Sequence, residues 1–180
     1  MNRLKKGLVP ELIPDEHGVE MCSPAEHGDA SLGIWLYDVS ECEDIRVSGM
    51  INSGMYHQKF PPMFLTLHVM ITPYSVSDIQ FRALQEQRIL GRVLQVLNDN
   101  SYIPADSVSG GSFDIRIELM NLEVQKQREI WNMNNVPYKT SLFYKITPVE
   151  LDSEKVRSVS PVGELKLELE ERKNRNGRRL

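Results

Sequence analysis

The chain has 180 residues, of which 41% are hydrophobic and 26% are charged, and its formal net charge at pH 7 is −4. These values are typical of an ordinary globular protein with one domain and one core. No apolar run is long enough to span a bilayer or to form a signal peptide, and two cysteines are too few for a disulfide framework, so we expect cytoplasmic synthesis and no membrane insertion.

The first third of the chain contains one predicted strand. A short helix ends before Pro10, and residues 14–29 form a loop that is rich in turn residues. Aromatic and β-branched side chains then predict a strand over residues 33–39.

A long connection, residues 40–62, follows this strand. Four apolar side chains interrupt its polar, glycine-containing sequence: Met50, Ile51, Met55 and Tyr56. A connection of this length is unusual inside a compact domain and is more often functional. Because the four side chains have no obvious core to enter, we interpret them as a contact with another chain.

The second strand leads directly into the longest helix. Residues 64–72 alternate as in a strand with both faces partly covered, and Pro73 ends that strand. A helix follows over residues 78–98. Its apolar stripe consists of Ile79, Ala83, Leu90, Leu94 and Leu97, with Ile89, Val93 and Val96 beside it. A face this wide is suited to packing between a sheet and a second surface.

The later elements complete an α+β fold. After a loop over residues 102–111, alternation predicts a strand over residues 113–119 with one face in water. A short polar helix over residues 123–133 comes next, and we interpret Trp131 as its core anchor rather than an interface residue. A strand over residues 138–149 then gives one sheet of four strands, or five with a C-terminal strand, flanked by two main helices in a mixed α/β arrangement.

The pattern loosens after Asp152. We therefore divide the chain into a domain over residues 1–152 and a C-terminal arm with a basic tail over residues 153–180. In the arm, Leu165, Leu167 and Leu169 alternate with charged residues, which is the period of a strand. This strand either joins the sheet of its own chain or adds to the sheet of a neighbouring chain, and the sequence favours neither alternative.

The tail itself is strongly basic. Residues 172–180 contain five basic residues and no acidic one, which leaves 16 basic against 25 acidic residues in residues 1–171. Such a tail either binds an acidic surface or keeps the chain soluble. It has no aromatic residue of the kind that nucleic-acid surfaces place among their charges, so we expect no nucleic-acid partner.

No pattern in the sequence builds an active site or a metal site. The candidate zinc ligands are His17, Cys22, His27 and Cys42, and their spacing matches no usual zinc site. The acidic cluster of Asp38, Glu41, Glu43 and Asp44 lacks the ligand spacing of a calcium loop. His68 has no acid or nucleophile beside it in the sequence. We expect no catalytic residue, no cofactor and no bound metal.

Several segments, in this order, carry a family resemblance. The first two are Leu8-Val9-Pro10-Glu11 and the strand over residues 32–39. The third is the strand over residues 64–72, which continues through Pro73-Tyr74 into the helix that stops at Asn98-Asp99-Asn100. The fourth is the helix around Trp131, followed by the strand that opens at Val136-Pro137-Tyr138. Together they resemble the tail-cap (tail-terminator) proteins of phage-tail-like contractile injection systems, of the virulence-cassette and antifeeding-prophage type. The resemblance covers residues 4 to 152, although relatives usually open with a longer helix than the residues before Pro10 provide.

This resemblance implies a structural role without catalysis. Proteins of this family form a six-fold ring on the baseplate-distal end of the inner tube, stop tube growth and anchor the last sheath disc. The implied partners are further copies of the chain, the inner tube protein and the sheath protein. Assembly would take place in the cytoplasm, and the finished particle can be released from the cell.

The expected contact residues follow from the same interpretation. On the long helix, Arg88 and Arg92 are expected to pair with Asp114 or Glu118 of a neighbouring subunit. The 50–56 side chains and the three arm leucines are expected to meet tube or sheath. Two alternatives remain: a baseplate or tube adaptor of the same machine, and a small α+β enzyme or ligand-binding domain with residues 41–62 as a lid.

Overall fold

The structure is a computed structural model, and it describes residues 1–54, 56–75, 77–108, 111–132 and 136–158. Its internal contacts divide the chain into two compact units. The first unit consists of Met1–Ser48 with Pro62–Asp152, and the second consists of Gly49–Pro61 with Ser153–Leu180. Within the described part, no helix combines the length and the apolar character needed to cross a membrane.

The described residues contain three helices and nine strands. The helices are α1 (Asn2–Leu8), α2 (Ile79–Asp99) and α3 (Val124–Asn132). The strands are β1 (Val19–Met21), β2 (Leu32–Glu41), β3 (Ile51–Asn52), β4 (His57–Lys59), β5 (Met63–Pro73), β6 (Tyr102–Ile103), β7 (Ile115–Leu119), β8 (Leu142–Leu151) and β9 (Val156–Ser158).

Six strands of the first unit form one sheet in the order β1-β2-β5-β8-β7-β6. All neighbours are antiparallel except β1 and β2, which are parallel. The expectation of four to five strands is therefore too low, while the mixed α+β class is confirmed. β1 and β6 have only three and two residues, and strands this short leave no period-2 pattern in segments rich in turn residues.

The centre of this sheet is β5, which pairs with β2 on one side and with β8 on the other. Two hydroxyl pairs join β5 to β8 or to the residue before it. Thr66 Oγ1 lies 2.9 Å from Thr147 Oγ1, and Thr72 Oγ1 lies 2.8 Å from Ser141 Oγ. These hydrogen bonds satisfy polar side chains that a buried strand would otherwise leave unpaired.

One face of the sheet packs against α1 and α2, and we call it the helix-pair face. Its core contains Leu8 of α1, Val93 of α2 and Ile71 of β5, all of them buried. The two helices approach closely at Gly7, where a Cβ atom would lie 2.4 Å from Val96 Cγ2. A glycine at this position therefore lets α1 lie directly against α2.

The opposite face packs against α3. Ile130 and Trp131 of this helix contact Met70 and Phe143 of the sheet, and Trp131 is only 2% exposed. The interpretation of Trp131 as the core anchor of a short polar helix is confirmed. A helix of nine residues is marginal by itself, so its position depends on this packing.

The second unit contains a small antiparallel sheet in the order β3-β4-β9. Gly54, with φ of +103°, lies in the turn between β3 and β4. The Phe60 amide donates to the carbonyl of Lys155, and the Lys155 ammonium lies 4.6 Å from the centre of the Phe60 ring. The segment that the sequence presents as a structureless connection thus contributes two strands, because β3 and β4 are too short to show a period.

Helix α2 is buried only in its second half. Ile89, Leu90, Val93, Val96 and Leu97 are buried, whereas Ile79 is 81% exposed and Ala83 is also exposed. The helical period places Ile79 and Ala83 on the same stripe as Leu90 and Leu97, which the sequence predicts to pack between a sheet and a second surface. The structure buries this stripe only in the second half of the helix.

This difference can be tested with two matched substitutions in one helix. Ile89→Ala should lower the free energy of unfolding by about 2–5 kcal/mol, since it removes buried methyl groups. Ile79→Ala should change it by less than about 0.5 kcal/mol, since the side chain is exposed. Urea denaturation followed by circular dichroism measures both values, and similar losses for the two variants would contradict the described position of α2.

Candidate docking surfaces

The helix-pair face is bare at the end of the sheet where β5 begins. Leu36, Val39, Met63 and Leu151 are between 38 and 56% exposed there, and we call them the open strip. The strand register places them on the helix-pair face, because Leu36 lies opposite Val69, Val39 opposite Leu67 and Met63 opposite Leu151. An exposed apolar group of this kind is a candidate contact surface.

A shallow groove continues the open strip toward α1. It has a volume of about 210 Å³ and is lined almost entirely by apolar side chains, among them Met1, Met21, Leu67, Ile117 and Ile146. Among the described residues that line it, Tyr144 has the one titratable side chain, and burial raises the pKa of its phenol. The groove is therefore suited to apolar packing rather than to proton transfer.

The first half of α2 presents a second apolar surface. Phe81 and Leu84 are 60 and 50% exposed, and we call them the helix ridge. Phe81 and Leu84 are three residues apart and lie on the side of α2 opposite its buried residues. Sequence reasoning missed both the ridge and the open strip. An i, i+3 apolar pair on the polar side of the helix is the signal that could have found the ridge.

The four expected ring residues lie in two different situations. Arg92 Nε donates to the Gly7 carbonyl over 2.9 Å, and Glu118 Oε2 lies 3.0 Å from Lys145 Nζ. Asp114 accepts from the Ala105 amide and from the Tyr102 hydroxyl, and the Tyr102 hydrogen bond lowers the pKa of its carboxyl group. These three side chains have partners in their own chain. Arg88 is exposed and makes no ion pair with any described residue.

The candidate contact residues of the long connection lie in and beside the small sheet. Ile51 of β3 and Tyr56 are exposed, and Met50 is half-buried. The structure thus leaves Ile51 and Tyr56 accessible, as a contact with another chain would require. Met55 and the three arm leucines, Leu165, Leu167 and Leu169, lie outside the described residues.

On the face opposite the helix pair, four polar residues lie side by side across four strands. Asp38 of β2 is opposite His68 of β5, His68 is opposite Lys145 of β8, and Lys145 is opposite Glu118 of β7. His68 Nδ1 is 3.1 Å from Asp38 Oδ2, although the two atoms are not aligned for a hydrogen bond. Lys145 and Glu118 form an ion pair across neighbouring strands, which stabilises the sheet, and Asp38 lies beside the His68 ring.

A cavity of about 400 Å³ lies beside Trp131, between the end of β5 and α3. The His27 ring stacks on the Tyr74 ring at 3.9 Å, and burial raises the pKa of Tyr74 to about 12. A phenol with so high a pKa is a poor acid and a poor nucleophile at neutral pH. Among the described residues, no group of three or more His, Cys, Asp or Glu side chains is placed to hold a metal ion.

Comparisons with known proteins agree with this fold. Residues 2–164 match the family model described as the Pvc16 N-terminal domain. No curated protein matches the chain. One similar solved structure is the sheath/tube terminator, in its extended state, of the PVC extracellular contractile injection system. Its TM-score is 0.68 at 14% identity, over 95% of this chain and 60% of the other.

A second similar structure is the tube-terminating cap of the anti-feeding prophage, AFP. The TM-score is 0.51 at 20% identity, over 76% of this chain and 48% of the other. The chain thus spans about half to three fifths of the length of these two proteins. At these identities the likeness establishes the fold.

The two arginines on α2 offer a test of these placements. Arg92→Ala should lower the free energy of unfolding by about 1 kcal/mol or more, because it removes a charged donor from the Gly7 carbonyl. Arg88→Ala should change it by less than about 0.5 kcal/mol, because an exposed arginine without a partner contributes little. Thermal and urea unfolding of both variants measure the difference, and equal stabilities would place Arg92 outside the contact between α1 and α2.

Proposed function

Because the chain belongs to the Pvc16 N-terminal domain family, we propose that it is a structural cap that ends the tube and sheath of a contractile injection system. The observation that carries this proposal is the match of the fold over 95% of the chain to a sheath/tube terminator. The tube-terminating cap of AFP supports the same role. Neither relative is named as an enzyme, and the proposed role requires no catalysis.

The proposed working form is a homo-hexameric ring on the baseplate-distal end of the tube. Tube and sheath subunits that stack head-to-tail add without limit unless a subunit offers one complementary face and blocks the other. A ring that closes on itself has used its side surfaces and presents only its two ends. Bound to the last tube disc, such a ring stops growth and gives the last sheath disc an anchor.

The surfaces described above support such a role. A cap needs apolar surfaces that are bare in the single chain and covered in the assembly, and the first unit has two of them, the open strip and the helix ridge. The second unit adds the accessible Ile51 and Tyr56, which we propose as a contact with the tube or the sheath. Assembly takes place in the cytoplasm, and the finished particle is released with the cap in place.

The mass of the purified chain in solution tests the ring. Native mass spectrometry or light scattering should give six times the 20.7 kDa mass of the chain. Electron microscopy should show rings, and added chain should shorten the tubes that form from the tube protein of the same system. A monomer that persists at high concentration, together with tubes of unchanged length, would contradict the cap function.

The C-terminal arm is proposed to act in trans, as a strand added to a sheath subunit or to the next cap subunit. Removing residues 159–180 keeps β9, which pairs with β4, so both described sheets retain their strands. This truncated chain should fold and form rings but should fail to hold the sheath, as measured by co-sedimentation with sheath assemblies.

A matched pair of full-length variants separates the arm's leucines from its charges. Replacing Leu165, Leu167 and Leu169 by serine should abolish sheath retention, because the apolar face of the added strand is lost. Replacing Glu164, Glu168 and Glu170 by glutamine should preserve retention.

The chain truncated after Ser158 also tests the alternative. Aggregation or unfolding of that truncated chain would assign the arm's strand to its own domain.

A further inference from the structure

The cavity of about 400 Å³ beside Trp131, which we call the Trp131 cavity, has a buried hydrogen-bond donor in its wall. Trp131 lines this cavity, and its side chain is only 2% exposed. The indole Nε1 is buried and makes no hydrogen bond. An indole N–H can only donate, and buried polar groups in folded proteins are nearly always paired. A bound molecule that supplies an acceptor would satisfy this donor.

The rest of the wall is largely aromatic and apolar. The His27 ring stacks on the buried Tyr74 ring, with 3.9 Å between the two ring centres. Pro24, Val136 and Pro137 also line the cavity. Its volume lies within the range of pockets that bind small groups, about 300–1,000 Å³. The cavity therefore has room for a flat apolar side chain against these rings.

Two cationic side chains line the Trp131 cavity, and among its described lining residues none is an aspartate or a glutamate. The Lys139 ammonium forms an ion pair with Glu86 and lies 5.1 Å from the centre of the Tyr74 ring. Arg82 is exposed and makes no ion pair with a described residue. Burial raises the pKa of Tyr74 to about 12, so this phenol is neutral at neutral pH and adds no negative charge. The cavity thus offers the Arg82 cation without a carboxylate to balance it.

Acidic residues close to the lining in the chain do not supply that carboxylate. They are Glu26, Asp29, Asp78, Glu86 and Glu129, and none of them lines the cavity. Glu86 is paired with Lys139, Glu129 is paired with Lys126, and Glu26 accepts a hydrogen bond from a serine hydroxyl. Asp29 and Asp78 are exposed, and water weakens the effect of an exposed charge.

We propose that the Trp131 cavity binds an acidic segment of a partner protein, in which a glutamate or aspartate stands next to an aromatic residue. The carboxylate would accept from the Trp131 indole and pair with Arg82, and the aromatic side chain would pack against the His27 and Tyr74 rings. An ionised carboxylate has only acceptors, which complements an unpaired N–H and a guanidinium. That the carboxylate belongs to a protein segment rests on the proposed function, in which other proteins cover the chain.

Peptide binding to the full-length chain tests the proposal. The probe is a fluorescent peptide with blocked ends that contains phenylalanine followed by glutamate among glycines, and the control peptide has glutamine in place of glutamate. Fluorescence anisotropy should show saturable binding of the glutamate peptide and at least about tenfold weaker binding of the control, because a charge-assisted hydrogen bond is lost.

Two arginine variants of α2 locate the carboxylate. R82Q should weaken binding of the glutamate peptide by about tenfold, because the cation of the cavity is removed. R88Q is the matched control, since Arg88 is exposed on the same helix but does not line the cavity, and it should bind as the wild-type chain does. Glutamine favours helices at both positions, and melting temperatures establish that both variants are folded.

The indole signal of Trp131 gives an independent readout. The chain has two tryptophans, so an ¹H–¹⁵N spectrum has two indole signals, and W131F identifies the signal of Trp131. The glutamate peptide should move that signal downfield, as a new hydrogen bond requires, and should leave the Trp35 signal in place.

Three results would overturn the inference. They are absence of saturable binding, equal binding of the two peptides or of folded R82Q and R88Q, and a Trp131 signal that does not move at saturation. None of these results changes the mass of the ring or the length of the tubes, so the cap function would stand. A chain that binds the glutamate peptide at Trp131 but forms no ring would overturn the cap function alone.

Discussion

The burial of β5 on both faces is the constraint on which the rest of the structure depends. This strand pairs with β2 and β8 along nearly its whole length, and its alternate side chains enter two different cores. Val69 and Ile71 contact the helix pair, while Met70 contacts Ile130 and Trp131 of α3. A slip of one residue would exchange the two sets, so the register of the central strand fixes the positions of all three helices.

The length of α2 has a consequence for assembly. A helix of 21 residues is about 31 Å long, and its buried residues all lie in its second half. The remaining apolar residues and the bare end of the sheet cost free energy in the single chain, because both keep apolar surface in water. That cost would be removed if another molecule covered these surfaces.

The polar features of the first unit stabilise its fold. The row from Asp38 to Glu118 includes the ion pair of Lys145 with Glu118, and the two hydroxyl pairs satisfy buried donors and acceptors at β5. Tyr74, with a pKa raised by burial, contributes a stacking surface for His27 rather than acid–base chemistry.

The sequence by itself determined the elements that are long enough to show a period. The two long central strands, the full extent of α2 and the anchoring of α3 by Trp131 follow from local alternation, helical spacing and the need of a short helix for an apolar contact. The family resemblance followed from the order of the same elements. The local pattern also identified Arg88 as an exposed cation on α2.

Only the tertiary structure decided which apolar residues are buried. Ile79 and Ile89 have the same residue type and occur in the same helix, yet only Ile89 lies over the sheet. The three-residue β1 and the two-residue β6 form because longer strands offer them backbone partners, which no local pattern records. Arg92 donates a hydrogen bond to the carbonyl of Gly7, which lies 85 residues away in the chain, whereas Arg88 makes no ion pair with a described residue. Burial depends on what lies opposite a side chain in space, and a sequence period describes only the side chain's own element.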